Sequence, residues 1–518
     1  MAFSGVDWFV FIIYFSIIAL TGWYFSRVKV TDTNTYFLGG HKMPLIFVAI
    51  SLLATSQSAA TFLGGPDQGY RGDLTYLATN IGTILAAIFV AKVMLPRFYE
   101  LRVSTVYELL QRRFGSKTKQ GAGAMYLIGR VFASGARLYM AAIAVAMILF
   151  QNVDPTSVII AICILSAIGL LYSFVGGIRA VIYSDAIQCV VYVFAAIAVI
   201  YYLMTSISVS YAEIIQALQV PTDGSDSKLR LLDFRLNFGV EGTFSVWASL
   251  TGFLLLGIAS FGMDQDMTQR LLTCKSAAES TRAMLLSMIF VIPVVLLFMM
   301  IGLLLYVFYQ RPELMSANQT GELIQSFDGE KITIFMYYVL NEMPAGLRGL
   351  VTVGIVAAAL STLNSGLNSM SSVIVQDFYR PWQQNRQKQH PELHFVFAGR
   401  IGMLIATIAL ASMAILSFYW QRYTDMPLLA FALSVMVFAY SGLLGVYFNA
   451  LFTSRGNTAS ALLALIAGFL TTLFFQPYIQ AIFNMNIDLA FPYQLTIATS
   501  VAFLVCFAGR PKAIEADS

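Results

Sequence analysis

The densest run of ligand-forming side chains lies where Ser361, Thr362, Asn364, Ser365, Asn368, Ser369, Ser371 and Ser372 fall within twelve residues. On a helix, residues 358, 361, 362, 365 and 369 share one face at i, i+3 and i+4 spacing. The preceding Ala357, Ala358 and Ala359 let another backbone approach closely. Hydroxyls combined with open carbonyls make a neutral cage of hard oxygens. Such a cage suits a monovalent cation such as Na+, whereas Ca2+ or Mg2+ usually takes carboxylates. The competing reading is interhelical hydrogen bonding, because small polar residues are enriched where membrane helices touch.

A second polar run sits inside an apolar stretch, Leu45–Tyr70. There Thr55, Ser56, Gln57, Ser58 and Thr61 interrupt the hydrophobic sequence before Gly64, Gly65 and Pro66. Hydrocarbon offers a helix no hydrogen-bond partners, so open backbone at that depth survives only where it is buried in protein or lines a polar cavity. Broken helices of this kind bind ions and substrate in transporters. The bland alternative is an unbroken helix whose hydroxyls bond their own carbonyls. Asp185, just after Gly176 and Gly177, is a carboxylate in an apolar run and is costly there unless paired or hydrated. Facing Ser361 and Ser365, it would complete a second cation site or carry a proton; otherwise it is an anchor paired with Arg179. Arg130 and Arg137 are seven residues apart, so they lie on nearly one helix face. Arg137 lies roughly 24 Å along its segment at 1.5 Å per residue. It is the natural fork for a substrate carboxylate, or else the partner of a buried acid or of helix carbonyls. Arg130 reads as structural. The three histidines, His41, His390 and His394, lie in loops, and no H-E-x-x-H, G-x-S-x-G or P-loop is present. The chain is therefore not read as an enzyme, and an ion gradient is the expected energy source.

The elements that must position these groups follow from composition. The chain has 518 residues, 58% hydrophobic and 11% charged, with a net charge of +4 and mean hydropathy +0.74. Soluble domains carry about 25% charged residues, so this is a polytopic membrane protein. Hydropathy predicts thirteen spans, at 6–26, 44–72, 75–99, 121–150, 156–175, 180–204, 243–264, 279–309, 346–378, 395–418, 427–451, 458–476 and 488–508. With the N-terminus outside, twenty Lys and Arg fall in inner stretches and seven, including Arg422, in outer ones. That asymmetry predicts N-out and C-in. The first span, Val6–Phe25, lacks the basic flank and cleavage site of a signal peptide and is expected to be retained. Cys163, Cys189, Cys274 and Cys506 suggest no disulfide framework. Asn318-Gln319-Thr320 is a glycosylation triplet on the predicted outer side. The segment 243–264 is also interrupted, by Gly252, Gly257 and Gly262 and then Asp264, Asp266 and Arg270. Two interrupted helices five segments apart suggest an inverted repeat, with segments 2–6 against 7–11. Against this, glycine is simply common in membrane helices.

These stretches resemble the sodium:solute symporter family, which includes sodium–glucose, sodium–proline, sodium–sialic acid, sodium–monocarboxylate and sodium–iodide transporters. The resemblance covers nearly the whole chain and is strongest at Ala54–Tyr70, Gly176–Gln188, Asp264–Lys275 and Gly346–Pro381, the last with Asp377 and Tyr379 near its end. It implies an all-α LeuT-like 5+5 inverted repeat in one transporter domain, 1–518. An extra N-terminal helix (6–26) precedes repeats 44–204 and 243–451, and two C-terminal helices (458–508) follow. It implies a main Na+ site on the carbonyls of Ala54, Gln57 and Ala358 and the hydroxyls of Ser361 and Thr362. A second Na+ site, found in some members, would fall on Asp185, Ser361, Asn364 and Ser365, although Asn364 replaces the hydroxyl that two-site members carry. Substrate contacts would fall on Ser56, Ser58, Thr61 and Asn80. Ser56, Ala60, Thr61 and Ser260 depart from the sugar carriers' pattern. Gly135-Ala136-Arg137-Leu138 is similar to proline carriers, but their acidic residue in the first break is absent. The hydroxyl-rich face with Asn80 and Arg137 fits sialic acid or another organic carboxylate. The expectation is a plasma (inner) membrane importer working by alternating access. Its partners are sodium, a small solute and the bilayer, with no organic cofactor, nucleic acid or obligate protein partner. The alternatives are a sugar or proline-like symporter, a passive pore or a membrane sensor.

Overall fold

In a bilayer every backbone N–H and C=O must be satisfied within the chain, and the fold meets that demand with helices almost throughout. The computed structural model describes all residues except 1–2, 28–29, 208, 223, 316–325, 328–329, 332, 421–427 and 511–518. The Asn318 triplet, Arg422 and Lys512 lie outside the described residues. Eight described helices are long and apolar enough to cross a membrane, or ten if each of two bent pairs is one span. The bent pairs are Thr33–His41 with Leu45–Ser56, at 110°, and Val246–Gly262 with Gln265–Leu271, at 58°. Three shorter apolar helices are Pro155–Leu171, Thr458–Phe474 and Phe491–Phe507. The four cysteines are free.

Both interruptions expected from the sequence are present. The helix Leu45–Ser56 stops, Gln57 and Ser58 are extended, and Ala59–Arg71 begins with the Ser58 hydroxyl accepting from the Ala60 amide. The second break falls at Met263 and Asp264, and the chain resumes as Gln265–Leu271. The predicted span 243–264 therefore ended too early. Its continuation carries Asp266 and Arg270, which read as a loop until their buried partners are known. Gly177, at φ +58°, interrupts the run Pro155–Ser206. A Cβ on Gly169 would touch Asn364, while Asp185 bonds Ser361 one turn away on the same helix. Residues eight before and eight after Gly177 thus meet one neighbour, so the chain doubles back there.

Packing locks the half-helices to their supports. The half-helix Ala59–Arg71 lies backbone to backbone on Ala277–Gln310: a Cβ on Gly69 would meet the Met299 carbonyl, and one on Gly302 the Pro66 carbonyl. Lys228, 3% exposed, donates to the carbonyls of Tyr70 (2.8 Å), Arg71 (3.3 Å) and Gly72 (3.1 Å), closing the end of that half-helix. Asp7 in Gly5–Ser26 accepts from the amides of Gly346 and Gly349, both at 2.8 Å, and pairs with Arg348 at 2.9 Å. A carboxylate there complements the N-terminus of the polar helix Leu347–Val373. Gly302→Ala is expected to cost about 1–3 kcal/mol by overpacking, read as a lower melting temperature of the purified protein; an unchanged value would mean the two backbones can part freely.

Candidate ion- and solute-binding site

The residues flanking the two breaks meet around one cavity of about 140 Å³, lined among others by Ser56, Gln57, Asn80, Arg137, Ser260 and Phe261. Beyond Ser56 the backbone turns extended, with Gln57 at φ −91° and ψ 122°. The following amides leave the helix axis, and the carbonyls from Ala54 onward lose their usual partners. Across from this break, Leu347–Val373 is buried along nearly its whole length, including Ala358, Ser361, Thr362, Asn364 and Ser365. All the oxygens assigned to the main ion site are neutral, as the sequence pattern requires for a monovalent cation. Thr362 turns its hydroxyl back to the Ala358 carbonyl at 3.3 Å. Ser361 donates to Asp185 Oδ1 at 2.7 Å, so the two expected ion sites share this residue.

Asp185 does not pair with Arg179, which donates to the Gly39 carbonyl at 2.8 and 3.1 Å. It meets Arg270 at 3.2 Å and accepts from Ser51 at 2.5 Å. Arg270 also bonds Ser51 at 2.8 Å and pairs with Asp266 at 2.6 Å. Asp266 pairs in turn with Arg130, which reaches Asp264 at 3.2 Å; Tyr440 donates to Asp264 as well. The result is a continuous chain, Asp185–Arg270–Asp266–Arg130–Asp264, which with Ser51, Ser361 and Tyr440 ties together six segments of the fold. With all five groups ionised, two guanidiniums face three carboxylates and leave one negative charge. Ser365 donates to Asp266 at 3.2 Å, not to Asp185, because Arg270 stands between the acids. Asn364 Oδ1 is enclosed with no protein partner among the described residues.

The expected solute contacts separate into two groups. Ser56, Asn80 and Arg137 line the cavity. Ser58 does not, because its hydroxyl is spent as the helix cap, and Thr61 is 6% exposed within packed helices. Arg137 carries no ion pair among the described residues. One terminal nitrogen faces the Met436 sulfur at 3.1 Å, and its Nε is enclosed without a partner. A thioether is a weak acceptor, so this guanidinium retains most of its capacity for an anion. Sequence reasoning named Arg130 and Arg137 but missed Ser51, Asp264, Asp266, Arg270 and Tyr440 as site residues. The usable signal was charge at a predicted break, where any ionisable group is a functional candidate.

Arg270→Gln is expected to cost about 3–5 kcal/mol, since it strands the buried Asp185 carboxylate, whereas Asp266 keeps Arg130. Adding Asp185→Asn should recover part of the loss in melting temperature; a double variant no better than the single would show that the two groups are not coupled.

This geometry matches known proteins along nearly its whole length. The model of the sodium:solute symporter family matches residues 36–468. The sodium/sialic acid symporter SiaT of Proteus mirabilis (strain HI4320) is 26% identical over 474 residues, covering 91% of this chain and 89% of its own. The sodium/sialic acid symporter NanT of Aliivibrio fischeri is 25% identical over 478 residues, covering 91% and 88%. A solved structure of a Na+-coupled sialic acid symporter, in a substrate-bound outward-open state with a novel Na+ site, superimposes with a TM-score of 0.78. It is 24% identical, covers 97% of both chains, and shares the fold of this all-helical, multi-pass membrane protein. On the match across 36–468, the chain belongs to the sodium:solute symporter family, whose members couple sodium to the movement of a solute.

Proposed function

We propose that this protein imports an organic carboxylate, sialic acid or a close chemical relative, together with sodium. The observation that carries this reading is the Arg137 guanidinium, which has no ion pair among the described residues, in the cavity between the two breaks. An excess positive charge there and an excess negative charge in the Asp185–Asp264 chain are matched by one anion and one cation. That both relatives are sodium/sialic acid symporters supports the same class of solute.

The main sodium site is assigned to the carbonyls of Ala54, Gln57 and Ala358 with Ser361 and Thr362. A second is assigned to Asp185, Asn364 and Ser365, reached when Arg270 shifts towards Asp266. Ser56, Ser58, Thr61, Asn80 and Arg137 form the solute site, with Ser58 and Thr61 entering it as the cavity widens. At about 140 Å³ the cavity is below the roughly 300–1,000 Å³ of ligand clefts, so a sugar-sized acid requires that widening. Sodium bound at the first break would hold the half-helices apart from closure and complete the solute site. Each sodium entering down 100 mV supplies about 2.3 kcal/mol, enough for roughly a 50-fold solute gradient. An anionic solute needs two sodiums for net charge to move.

The ten long or bent spans and three shorter helices make thirteen crossings, in the arrangement 1 + 5 + 5 + 2: 6–26, then 44–204, 243–451 and 458–508. The N-terminus lies outside and the C-terminus in the cytoplasm, in the plasma (inner) membrane. The chain performs transport and no covalent chemistry, with no further protein required.

The test is thermal stabilisation of the purified protein by sugars, amino acids and carboxylates, each in Na+ and in K+. Carboxylates should stabilise in Na+ alone, whereas stabilisation by neutral sugars would replace the solute assignment. Arg137→Ala should weaken carboxylate binding about 100-fold, as expected when a buried charged hydrogen-bond partner is lost at 2–5 kcal/mol. Ser361→Ala and Thr362→Ala should each raise the sodium concentration needed for half-maximal uptake; unchanged values in both would move the ion site elsewhere.

A further inference from the structure

Below the proposed ion site, the polar helix Leu347–Val373 carries side-chain atoms that no group among the described residues satisfies. Asn364 Oδ1, Asn368 Nδ2 and Ser372 Oγ have no protein partner among the described residues, and neither has the adjacent Gln269 Oε1. All four residues are at most 1% exposed. Asn364, Asn368, Ser372 and Gln376 follow at four-residue steps, so they form one stripe that drifts about 40° per step. The stripe ends at a cavity of about 770 Å³, which Ser372 and Gln376 both line. A buried polar atom without a partner in hydrocarbon is costly, and its usual explanation is a water or an ion. Repeated along one helix face and ending in a cavity, such atoms describe a path.

Gln269 lies across that path. Its Nε2 donates to the Phe37 carbonyl at 2.6 Å and to Asn368 Oδ1 at 2.8 Å. Phe37 belongs to the short helix Thr33–Leu38 ahead of the first broken helix, and Gln269 to the half-helix after the second break. One amide therefore joins both broken elements to the stripe.

We infer that Asn364, Asn368, Ser372 and Gln376 form a hydrated route by which sodium leaves the ion site for the cytoplasm, and that Gln269 is the bar across it. This rests on the sodium site and orientation proposed above. Amide and hydroxyl groups replace part of the ion's water shell without the grip of a carboxylate, so the ion passes on. Movement of the half-helix Gln265–Leu271 breaks both Gln269 bonds together and opens the route.

The experiment uses the full chain with Cys163, Cys189, Cys274 and Cys506 replaced by alanine. Single variants Asn368→Cys and Ser372→Cys on the stripe, and Met370→Cys and Val373→Cys off it, meet a charged methanethiosulfonate reagent from either face of membrane vesicles. The stripe cysteines should react about tenfold faster than the controls, because hydration favours the thiolate. They should do so from the cytoplasmic face alone, and Na+ but not K+ should slow them. Gln269→Ala should raise the Asn368→Cys rate several-fold over the Ser372→Cys rate. Equal rates at all four positions, or faster reaction from the outer face, overturn the route. An unchanged Asn368→Cys rate in Gln269→Ala removes Gln269 as the bar. Sodium-dependent thermal stabilisation of the cysteine-free parent is measured alongside. Its loss counts against the sodium site itself; its persistence with no sodium effect on labelling overturns the stripe as sodium's path.

Discussion

The structure depends on keeping five charged side chains buried in a membrane. Asp185, Arg270, Asp266, Arg130 and Asp264 are all at most 4% exposed. None could remain ionised there alone, because removal from water costs several kcal/mol per ion even after relaxation. Each is held by at least one opposite charge, and Ser51, Ser361, Ser365 and Tyr440 take up remaining hydrogen bonds. That network fixes where the helices can lie. It joins the first broken helix through Ser51, the doubled-back helix through Asp185 and the second break through Asp264, Asp266 and Arg270. The helices carrying Arg130, Ser361 and Tyr440 complete it.

The same network explains why the breaks are tolerated. An interrupted helix exposes carbonyls and amides at its cut ends. At the first break Ser58 caps one end, and Thr55, Ser56 and Gln57 at the other line the polar cavity. At the second, Asp264 accepts from the Asp266 amide, so one residue serves both as helix cap and as Arg130's partner. Stability and function therefore draw on the same groups. With all its groups ionised the cluster carries one negative charge in excess, and Arg137 has no ion pair among the described residues.

The two broken elements differ in how their neighbours hold them. Ala59–Arg71 is pressed backbone to backbone on its neighbour through Gly69 and Gly302, and Lys228 closes its end. Between the stretch Phe37–Met43 and the stretch Gln269–Thr273 the contacts are single hydrogen bonds: His41 to the Leu272 carbonyl at 2.6 Å, Met43 to Thr273 at 3.2 Å and Gln269 to Phe37. Close backbone contact resists gradual displacement, whereas a few hydrogen bonds can break as a set.

The sequence by itself determined the helical membrane architecture, the position of the first break and the buried polar stripe around Ser361. These are local properties: twenty apolar residues in a row, hydroxyls at helical spacing, glycine and proline where a helix must fail. It also singled out Asp185 and Arg137, since a charge in an apolar run is conspicuous without any knowledge of its surroundings. Only the tertiary structure decided the partners. Arg130 meets Asp264 across 134 positions and Arg270 meets Asp185 across 85, and no local pattern encodes such a pairing. Arg179 was the nearer choice for Asp185, but the reversal at Gly177 sends it to Gly39 instead. Likewise Ser58 and Ser56 are two residues apart and alike in sequence, yet one caps a helix and the other lines the cavity. Side-chain type sets what a group can do; the packing of distant helices sets which neighbour it does it with.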